Sequence, residues 1–430
     1  MQVFKFGGAS VSTTERIRAL VPIFHQFRDQ QLLVVISAMG KTTNALEKVA
    51  HAFYNGNREA ALQLFQEIKQ QHLQTAGELL IKGYGPCEEQ LTNFYTEVEW
   101  LLHDQPVQSF DYYYDQIVCI GELLSTAIVS AFLNEAGIPN QWLDVRDVLR
   151  TDDNFRDANI DWEYSALKVN QVVKPLFSKT SIVLTQGFIG STDENESTTL
   201  GREGSDYSAA VFANLLDASA QTIWKDVAGV MNADPKRFQD AKLISTLNYT
   251  EVIEMAYYGA QVIHPKTIKP LQNKSIPLQV KCFLDTSLPG TLIHNKPVKD
   301  LPPIIVWKEN QVLLQFKSKD FSFVGEQPVA QLYQTFAHLS LRPNMTQNGA
   351  ISFTCVLDDN PEKMDELAHS AAGQFEVSLE KGLSLLTIRH FVPELFEKLS
   401  TGKKLVLKQE TTETVQGLFR SEKSDVRSQT

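Results

Sequence analysis

The stretch QVFKFGG, residues 2–8, decides the fold, because a short strand pattern ends there directly in two glycines. Similar β-branched or aliphatic runs recur along the first two thirds of the chain, while the region 43–135 has the apolar spacing of helices. The predicted strands are 2–6, 32–37, 181–185, 221–226 and 277–283. This alternation predicts an α/β fold with a largely parallel sheet.

Lys5 and the glycines that follow it form the first candidate site. Glycines let the backbone approach a phosphate closely with its N–H groups, and a lysine two residues earlier adds a positive charge. The same stretch also fits a solvated lysine in an edge strand that is followed by an ordinary turn. Both interpretations stay open from these residues alone.

The composition indicates a globular protein of two or three domains. Of the 430 residues, 43% are apolar and 21% are charged, and no run looks long and apolar enough to cross a bilayer. The formal net charge of −11 argues against nucleic acid, because phosphate backbones are bound by broad basic surfaces. We therefore expect neither a nucleic-acid partner nor a membrane partner.

Cysteine usage and the amino-terminal residues favour a cytoplasmic protein. The four cysteines show no CxxC spacing and no nearby histidine, which argues against a structural zinc site or a disulfide framework. The first residues already form a strand pattern, with no charged leader, apolar stretch and cleavage site before it. We predict no targeting signal, no metal site and a reducing compartment.

The pattern of strand and helix signals changes at a Pro-rich, polar connector, residues 294–303. From there on, strand and helix signals alternate as in a small α+β module of about one and a half βαββ units. The signals are strands at 304–316 and 343–357, helices at 326–338 and 361–371, and further short strands with a helix near 393–399. The predicted domains are 1–293 and 304–420, and the polar tail 421–430 is expected to be disordered.

A long polar loop at 186–205 carries the second candidate site. It lies between a buried strand and a predicted helix at 207–216, and a loop of this length is usually functional or disordered. Arg202 has a planar guanidinium that can bind a carboxylate with two hydrogen bonds, beside hydroxyls such as that of Ser205. Asp206 belongs to the same site, although it also fits an ordinary helix N-cap.

Two further sets of polar residues accompany apolar elements. Glu122 lies on an otherwise apolar helix, where it could hold a ligand's ammonium group or simply be an exposed position. Ser37 and Thr43 follow a strand, at the carboxyl end where open α/β sheets bind ligands. Helix capping explains the second set equally well.

A second loop runs from Asp226 to Lys242. Lys225 and Asp226 end the strand before it, and Lys236 follows within it. These charged side chains suit binding of nucleotide phosphates or ribose. They are equally well explained as ordinary charged residues that are exposed to solvent. The loop leads to a helix that we expect Asn248 to cap.

In this order, the segments resemble the aspartokinase branch of the amino-acid kinase family. The resemblance covers about residues 3–293, and it depends on six ordered motifs that are each only suggestive alone. They are KFGGASV at 5–11, SAMGKTTN at 37–44, GE at 121–122, QGFIG at 186–190, TLGREGSDY at 199–207 and GAQVIHP at 259–265. The resemblance implies a three-layer αβα sandwich of the carbamate kinase type, with an ACT-like, ferredoxin-like domain after it.

The resemblance also implies the reaction, in which ATP with Mg²⁺ phosphorylates the side-chain carboxylate of L-aspartate. This reaction is the first step of lysine, threonine and methionine biosynthesis. The residues implied for ATP are Lys5, Gly7, Gly8 and Ser37, with Lys225, Asp226 and Lys236 near the nucleotide. The residues implied for aspartate are Thr43, Glu122, Phe188, Arg202 and Ser205. Lys5 and Asp206 are implied as catalytic.

This chain departs from the family motifs at five positions. Ala9 replaces a threonine, and Glu203 replaces the middle glycine of GRGGSD. The remaining departures are Lys225, Lys236 and Gln261, around the implied nucleotide site. The residues with the largest implied roles, such as Lys5 and Asp206, are all present.

The C-terminal region matches the family's ACT domains only in outline. The resemblance implies a homodimer formed through this region and a possible amino-acid effector, whose identity the sequence does not indicate. Two alternatives to an aspartate kinase remain. The chain could be another amino-acid kinase, acting on glutamate or a related carboxylate, or a non-catalytic amino-acid sensor with the same fold.

Overall fold

A computed structural model describes residues 1–260, 262–320 and 322–420, so Gln261 and the tail 421–430 lie outside the described residues. The chain divides into two compact units. Unit 1 comprises Met1–Val230, Leu243–Ala256 and Val262–Lys299, and unit 2 comprises Met231–Lys242, Tyr257–Gln261 and Asp300–Thr430. Unit 2 thus includes two segments that lie, in sequence, before the Pro-rich connector.

Unit 1 contains a mostly parallel sheet and a separate hairpin. Its strands are β1 (Gln2–Phe6), β2 (Leu32–Ile36), β3 (Gln141–Leu143), β4 (Ile182–Gln186), β5 (Ile189–Ser191), β6 (Ser197–Thr199), β7 (Gln221–Lys225), β8 (Thr246–Asn248), β9 (Leu278–Cys282) and β10 (Thr291–His294). The sheet order is β3-β4-β2-β1-β7-β9-β10-β8, and only the β9–β10 pairing is antiparallel. β5 and β6 pair with each other in an antiparallel hairpin.

Helices of the first part of the chain cover this sheet. They are α1 (Thr14–Arg18), α2 (Val21–Gln26), α3 (Thr42–Tyr54), α4 (Arg58–Leu79), α5 (Tyr84–His103), α6 (Phe110–Val118), α7 (Ile120–Glu135), α8 (Trp162–Lys168), α9 (Lys174–Leu176), α10 (Gly204–Leu215), α11 (Tyr249–Tyr257) and α12 (Pro265–Asn273). As predicted, the Asn248 side chain caps α11 by accepting a hydrogen bond from Glu251 N at 2.8 Å.

The alternation of side chains in β1 separates an aromatic face from the face that carries Lys5. Phe6 packs toward α2, where its ring centre lies 5.8 Å from that of Phe24, and it stacks on Trp224 of β7 at 6.0 Å. Lys5 therefore points to the opposite face, where it reaches Asp206 of α10. Helices on both faces confirm the predicted three-layer αβα sandwich.

The five predicted strands of unit 1 are present within one residue of their predicted ends. The prediction of an unbroken loop at 186–205 is wrong, because β5 and β6 lie within it and α10 begins at Gly204 rather than 207. These strands are only three residues long, and two hydrogen bonds between Ser197 and the side chain of the distant Gln116 of α6, one donated by each residue, hold β6 in place. A local pattern therefore gave no signal for them.

The expectation that no run is long and apolar enough to cross a membrane is also wrong. Phe110–Glu135, which spans α6 and α7, is long and apolar enough by composition. However, 89% of its most apolar window is buried inside the protein, so its apolar surface is covered by neighbouring elements. A helix that is apolar on all sides is typical of a protein core as well as of a membrane span.

The four cysteines, Cys87, Cys119, Cys282 and Cys355, are free and buried. Burial raises the pKa of the Cys87 thiol to about 11 and that of Cys119 to about 12. These two thiols are therefore protonated at neutral pH, in which state a cysteine is a poor nucleophile.

Unit 2 is built on a ferredoxin-like βαββαβ arrangement. Its strands are β11 (Ile304–Ser318), β12 (Met345–Asn348), β13 (Ser352–Asp358), β14 (Phe375–Arg389), β15 (Lys404–Glu410) and β16 (Thr414–Arg420), and its helices are α13 (Glu326–His338), α14 (Pro361–Ala371) and α15 (Pro393–Ser400). The antiparallel sheet has the order β12-β13-β11-β14-β16-β15. The first four strands with α13 and α14 form one complete unit, and the β15–β16 hairpin with α15 extends it.

Two of the apolar clusters in unit 2 hold its helices against the sheet. One lies between the sheet and helices α13 and α14, with Phe316, Phe336 and Phe353 at its centre. The other joins α15 to the strands β14 and β16 through Phe396 and Phe419. The prediction of several short strands after 371 is wrong at its start, because β14 is a single strand of 15 residues.

Candidate active site

A cavity of about 430 Å³ opens at the edge of the unit 1 sheet where parallel strands end. Residues one or two positions beyond the ends of β1, β2 and β4, namely Gly8, Ser37 and Phe188, contribute to its walls. The strand order reverses at β1, since β2 lies on one side of it and β7 on the other. Open α/β sheets usually bind ligands at such a reversal, outside the carboxyl ends of the strands.

Most of the residues predicted for the site line this one cavity. They are Lys5, Gly8, Ser37, Thr43, Glu122, Phe188, Arg202, Ser205 and Asp206. Residues that are up to two hundred positions apart in sequence therefore meet in a single space.

Lys5 and Asp206 form a buried ion pair in the wall of the cavity. Lys5 Nζ lies 2.6 Å from Asp206 Oδ1, and the side chains are 11% and 5% exposed. β1 is an interior strand, so the interpretation of Lys5 as a solvated edge residue is wrong. The interpretation of Asp206 as an N-cap is also wrong, because Glu203 holds that position at the start of α10.

The glycine turn after β1 packs directly against the turn after β2. Gly40 N donates a hydrogen bond to Gly8 O at 3.0 Å, and a Cβ on Gly8 would lie 2.6 Å from Ala38 O. Only glycine fits there without moving the backbone. The capping interpretation of Ser37 and Thr43 is wrong, since Lys41 is the N-cap of α3 and no side chain caps that end.

Glu122 is a buried carboxyl group with one unsatisfied oxygen. The residue is 2% exposed, so the interpretation as an exposed helix position is wrong. Its Oε1 accepts a hydrogen bond from Ala38 N at 3.2 Å, while Oε2 has no hydrogen-bond partner among the described residues. Burial raises the pKa of Glu122 to about 8, although the Ala38 hydrogen bond opposes that shift. A cation in the cavity would favour the ionised form.

Arg202 stands in a turn with left-handed backbone on both sides. Gly201 has a φ of +74°, and a Cβ there would lie 2.6 Å from Asp157 Oδ1. Glu203 has a φ of +55°, which is uncommon for a residue other than glycine. Between them, Arg202 is exposed and lines the cavity.

The end of β4 packs closely against the start of α10. A Cβ on Gly187 would lie 2.6 Å from Ser205 Cβ, so this approach requires glycine. Phe188 has a φ of +70°, and its N–H donates to Ser208 Oγ at 2.9 Å. The contact fixes the positions of Phe188 and Ser205 in the cavity wall.

The remaining predicted residues do not line the cavity. Gly7 is adjacent, because a Cβ on it would lie 3.3 Å from Lys5 Nζ. Lys225 Nζ donates to Val262 O at 3.0 Å, and Asp226 pairs with Arg16 at 3.3 Å. Lys236 belongs to unit 2, where its side chain is exposed and its N–H donates to Asp234 Oδ1 at 2.9 Å.

A second guanidinium in the cavity wall, that of Arg156, was not predicted from the sequence. It lies 4.4 Å from the ring centre of Tyr114, which also lines the cavity, and 3.1 Å from Asp111 Oδ1. The charges of Arg156, Arg202 and Lys5 make this space suitable for anionic ligands. No motif marked Arg156, since it lies in an acidic loop without a distinctive spacing.

Asp115, whose carboxylate connects two walls of the cavity, was also not predicted from the sequence. Its carboxylate accepts hydrogen bonds from Arg156 N at 3.0 Å, Thr199 N at 2.8 Å and Thr199 Oγ1 at 2.7 Å. Burial raises the pKa of Asp115 to about 6, although these hydrogen bonds act in the opposite direction. Its position seven residues before Glu122, on the same side of the helical region, was a signal that could have indicated it.

Comparison with known proteins shows that a sequence profile of the Amino acid kinase family matches residues 1–282. The chloroplastic bifunctional aspartokinase/homoserine dehydrogenase 1 of Zea mays is 34% identical over 307 residues, which cover 69% of this chain and 32% of that protein. The chain thus spans about a third of the length of the bifunctional relatives that it matches.

Similarity to single-function relatives extends along most of the chain. The lysine-sensitive aspartokinase 3 of Escherichia coli strain K12 is 30% identical over 396 residues, covering 90% of this chain and 86% of that protein. The crystal structure of E. coli aspartokinase III in complex with aspartate and ADP, in the R-state, is similar with a TM-score of 0.82 at 27% identity. That match covers 98% of this chain and 96% of the other.

Proposed function

Since the chain belongs to the amino acid kinase family, we propose that it is an aspartate kinase, which transfers the terminal phosphoryl group of ATP to the side-chain carboxylate of L-aspartate. The product is 4-phospho-L-aspartate. One observation carries the proposal: the Lys5–Asp206 pair and the glycine turn share a single cavity with Glu122 and Arg202. Groups that suit a phosphate and groups that suit an amino acid thus share one space.

The nucleotide phosphates are proposed to bind at the glycine turn. N–H groups of Gly7 and Gly8 and the hydroxyl of Ser37 are suitable donors for phosphate oxygens, and Lys5 supplies the positive charge. Lys225, Asp226 and Lys236 are proposed to lie near the nucleotide, as the family resemblance implies. Lys225 and Asp226 would have to exchange their present partners, Val262 O and Arg16, for the ligand.

The amino acid is proposed to bind at the opposite wall. Glu122 has a free oxygen that suits the ammonium group, and Arg202 has a guanidinium that suits a carboxylate. Thr43 and Ser205 offer hydroxyl groups, and Phe188 closes the apolar side. Together these groups match the charges of an amino acid with an acidic side chain.

Repulsion between two anions is the main obstacle to the reaction. A side-chain carboxylate titrates at about 4, so the acceptor is already ionised and no strong general base is needed. Catalysis then comes from alignment of the two groups and from Lys5 and loop N–H groups that offset the charge on the transferring phosphoryl group.

We propose Mg²⁺ as the metal that accompanies ATP. Mg²⁺ usually keeps several waters and binds through substrate phosphates with only one or two protein carboxylates. In the part of the chain that the structure describes, no group of three or more His, Cys, Asp or Glu side chains could hold a metal ion. This fits an ion held largely by the phosphates, and the ion would supply further neutralisation of charge.

Trapping of the product with hydroxylamine tests the proposed function. The protein is incubated with ATP, Mg²⁺ and L-aspartate, and hydroxylamine converts any acyl phosphate into a coloured hydroxamate. We expect colour with L-aspartate and little with L-glutamate, and none when ATP is left out. More colour with L-glutamate would favour the related amino-acid kinase, and no colour with any acceptor would favour a non-catalytic sensor.

Replacement of Arg202 by lysine should raise KM for L-aspartate about fivefold to tenfold with little change in kcat. Lysine keeps the charge but loses the second hydrogen bond of the planar guanidinium, a loss comparable to one net hydrogen bond. Initial rates at saturating ATP measure both constants. An unchanged KM would remove Arg202 from the amino-acid site.

We propose that residues 304–420 form an ACT-like domain that dimerises or regulates the catalytic domain at 1–293. A cavity of about 500 Å³ in unit 2 is lined by the turn after β11, where Asp320 accepts hydrogen bonds from Ser318 and Ser322. One E. coli relative is lysine-sensitive by name. The hydroxamate assay with added lysine, threonine or methionine would identify an effector, and we expect the enzyme to act in the cytoplasm, at the start of the pathway to these amino acids.

A further inference from the structure

We infer that Glu203 and Lys266 form a clamp that positions the Arg202 turn for the acceptor amino acid. The inference depends on the proposed function, because Arg202 is taken as the group that binds the acceptor's carboxylate. Both residues connect the turn at 200–203 to the N-terminal end of α12, through His264 at its N-cap and Lys266 in its first turn. They are positioning residues, since they act on the substrate only through Arg202.

Glu203 supplies one side of the clamp. Its Oε2 accepts a hydrogen bond from His264 N at 2.8 Å, immediately before α12. A carboxylate is favourable at a helix N-terminus, because the N–H groups there carry partial positive charge. The φ of +55° at Glu203 is one that glycine adopts without strain, and the related motifs have glycine at this position. Compared with glycine, glutamate at position 203 costs backbone strain but adds a hydrogen bond to the start of α12.

Lys266 supplies the other side. Its Nζ donates to Leu200 O at 3.0 Å and to Asp157 Oδ1 at 2.7 Å. Leu200 and Glu203 lie on either side of Arg202, so the two ties bracket it. Asp157 adjoins Arg156, and the same lysine therefore links both guanidinium-bearing segments of the cavity.

The helix α12, to which these hydrogen bonds connect the turn, is packed firmly into unit 1. α12 packs against α10, and its Ile268 and Leu271 are fully buried. Asn214 of α10 donates a further hydrogen bond to Pro270 O at 2.8 Å. The clamp thus connects an exposed turn to a fixed part of the core, and its loss should loosen the turn without unfolding α12.

Replacement of Glu203 by glycine tests the first tie. We expect KM for L-aspartate to rise about threefold to tenfold, as when one net hydrogen bond is lost, while kcat changes less than twofold. The Tm should stay equal or rise, because glycine relieves the left-handed strain. Glu203→Gln keeps an acceptor for His264 N and should restore most of the affinity. A wild-type KM in Glu203→Gly, or equal losses in both variants, would overturn the inference.

Replacement of Lys266 by methionine tests the second tie, with Lys269→Met as the matched control. Lys269 is an exposed residue of the same helix. We expect a rise in KM of about threefold to tenfold for Lys266→Met and a wild-type KM for Lys269→Met. Equal KM values in these two variants would exclude Lys266 from the clamp.

Hydrogen exchange separates failure of the clamp from failure of the proposed function. The backbone N–H groups of 200–206 should exchange about threefold to tenfold faster in Lys266→Met than in the wild type, in the absence of any substrate. This result would support the clamp even if the wild-type protein produced no hydroxamate. Unchanged exchange would overturn the clamp even if the protein were an active aspartate kinase.

Discussion

Replacement of Lys5 by alanine is expected to lower kcat by about 10²- to 10³-fold, the loss typical of one preorganised electrostatic group. Lys5 Nζ sits 2.6 Å from Asp206 Oδ1 in the wall of the cavity, so the ammonium group is held in place before substrate binds. Its charge matters most when negative charge builds up on the transferring phosphoryl group. KM for L-aspartate should change little, because the amino acid is proposed to bind at Glu122 and Arg202.

The Lys5→Ala variant also leaves the buried Asp206 carboxylate without its partner. Loss of one member of a buried ion pair is strongly destabilising, typically by about 3–5 kcal/mol, so activity must be compared with Tm. Lys5→Arg separates the two effects. It keeps a charge for Asp206 and should recover stability, but the larger guanidinium displaces the point charge next to Gly7 and should not recover kcat.

Lys48→Ala serves as a control for the removal of a lysine, since Lys48 is exposed on α3. Its kcat and Tm should match those of the wild type. Stopped assays with radiolabelled ATP over a range of L-aspartate concentrations give both constants. A kcat in Lys5→Ala within threefold of the wild type would refute the role of Lys5.

The sequence predicted the proposed phosphate end of the site because its parts are neighbours in the chain. Lys5 and the glycines after β1 lie within four residues, and the neighbouring β2 is a continuous apolar run that matches a fully buried parallel strand. The motif therefore carried both the local structure and the chemistry. The same reasoning found Ser37, which directly follows β2.

The other walls depend on contacts between distant residues, which local patterns do not encode. Asp115 reaches Arg156 across 41 positions and Thr199 across 84. Whether Asp115 is a surface residue of α6 or a buried bridge is settled only when the β5–β6 hairpin packs on it. Burial therefore decided the role of Asp115, as it did for Glu122, whose sequence position also fitted an exposed face.

Glu122→Gln is expected to raise KM for L-aspartate about 10- to 100-fold at pH 8, as when a hydrogen bond to a charged group is lost. The substitution keeps an oxygen for Ala38 N and a similar volume, so the fold should persist. What it removes is the negative charge that the ligand's ammonium group is proposed to meet at Oε2. A KM within threefold of the wild type would refute ammonium binding by Glu122.

The pH dependence of KM for L-aspartate, compared between the wild type and Glu122→Gln, tests whether the charge of Glu122 causes this effect. Burial raises the pKa of Glu122 from an ordinary 4.5 to about 8, so below pH 8 the free enzyme mostly carries a neutral carboxyl group. Because the ammonium group binds the ionised form, ligand binding must release a proton, and KM for L-aspartate should fall as pH rises from 6 to 8. Glu122→Gln should lack this dependence.

Calorimetry measures that proton directly, through the difference in binding heat between buffers of unequal ionisation enthalpy. We expect close to one proton released per L-aspartate at pH 7 in the wild type and none from this source in Glu122→Gln.

The same pKa shift predicts how the stability of the protein depends on pH. A carboxyl group whose pKa is raised on folding contributes stability that is present below pH 4.5 and is lost as pH rises through 8. Tm should therefore fall more between pH 6 and 9 in the wild type than in Glu122→Gln, and parallel curves would show that Glu122 ionises freely in the folded protein.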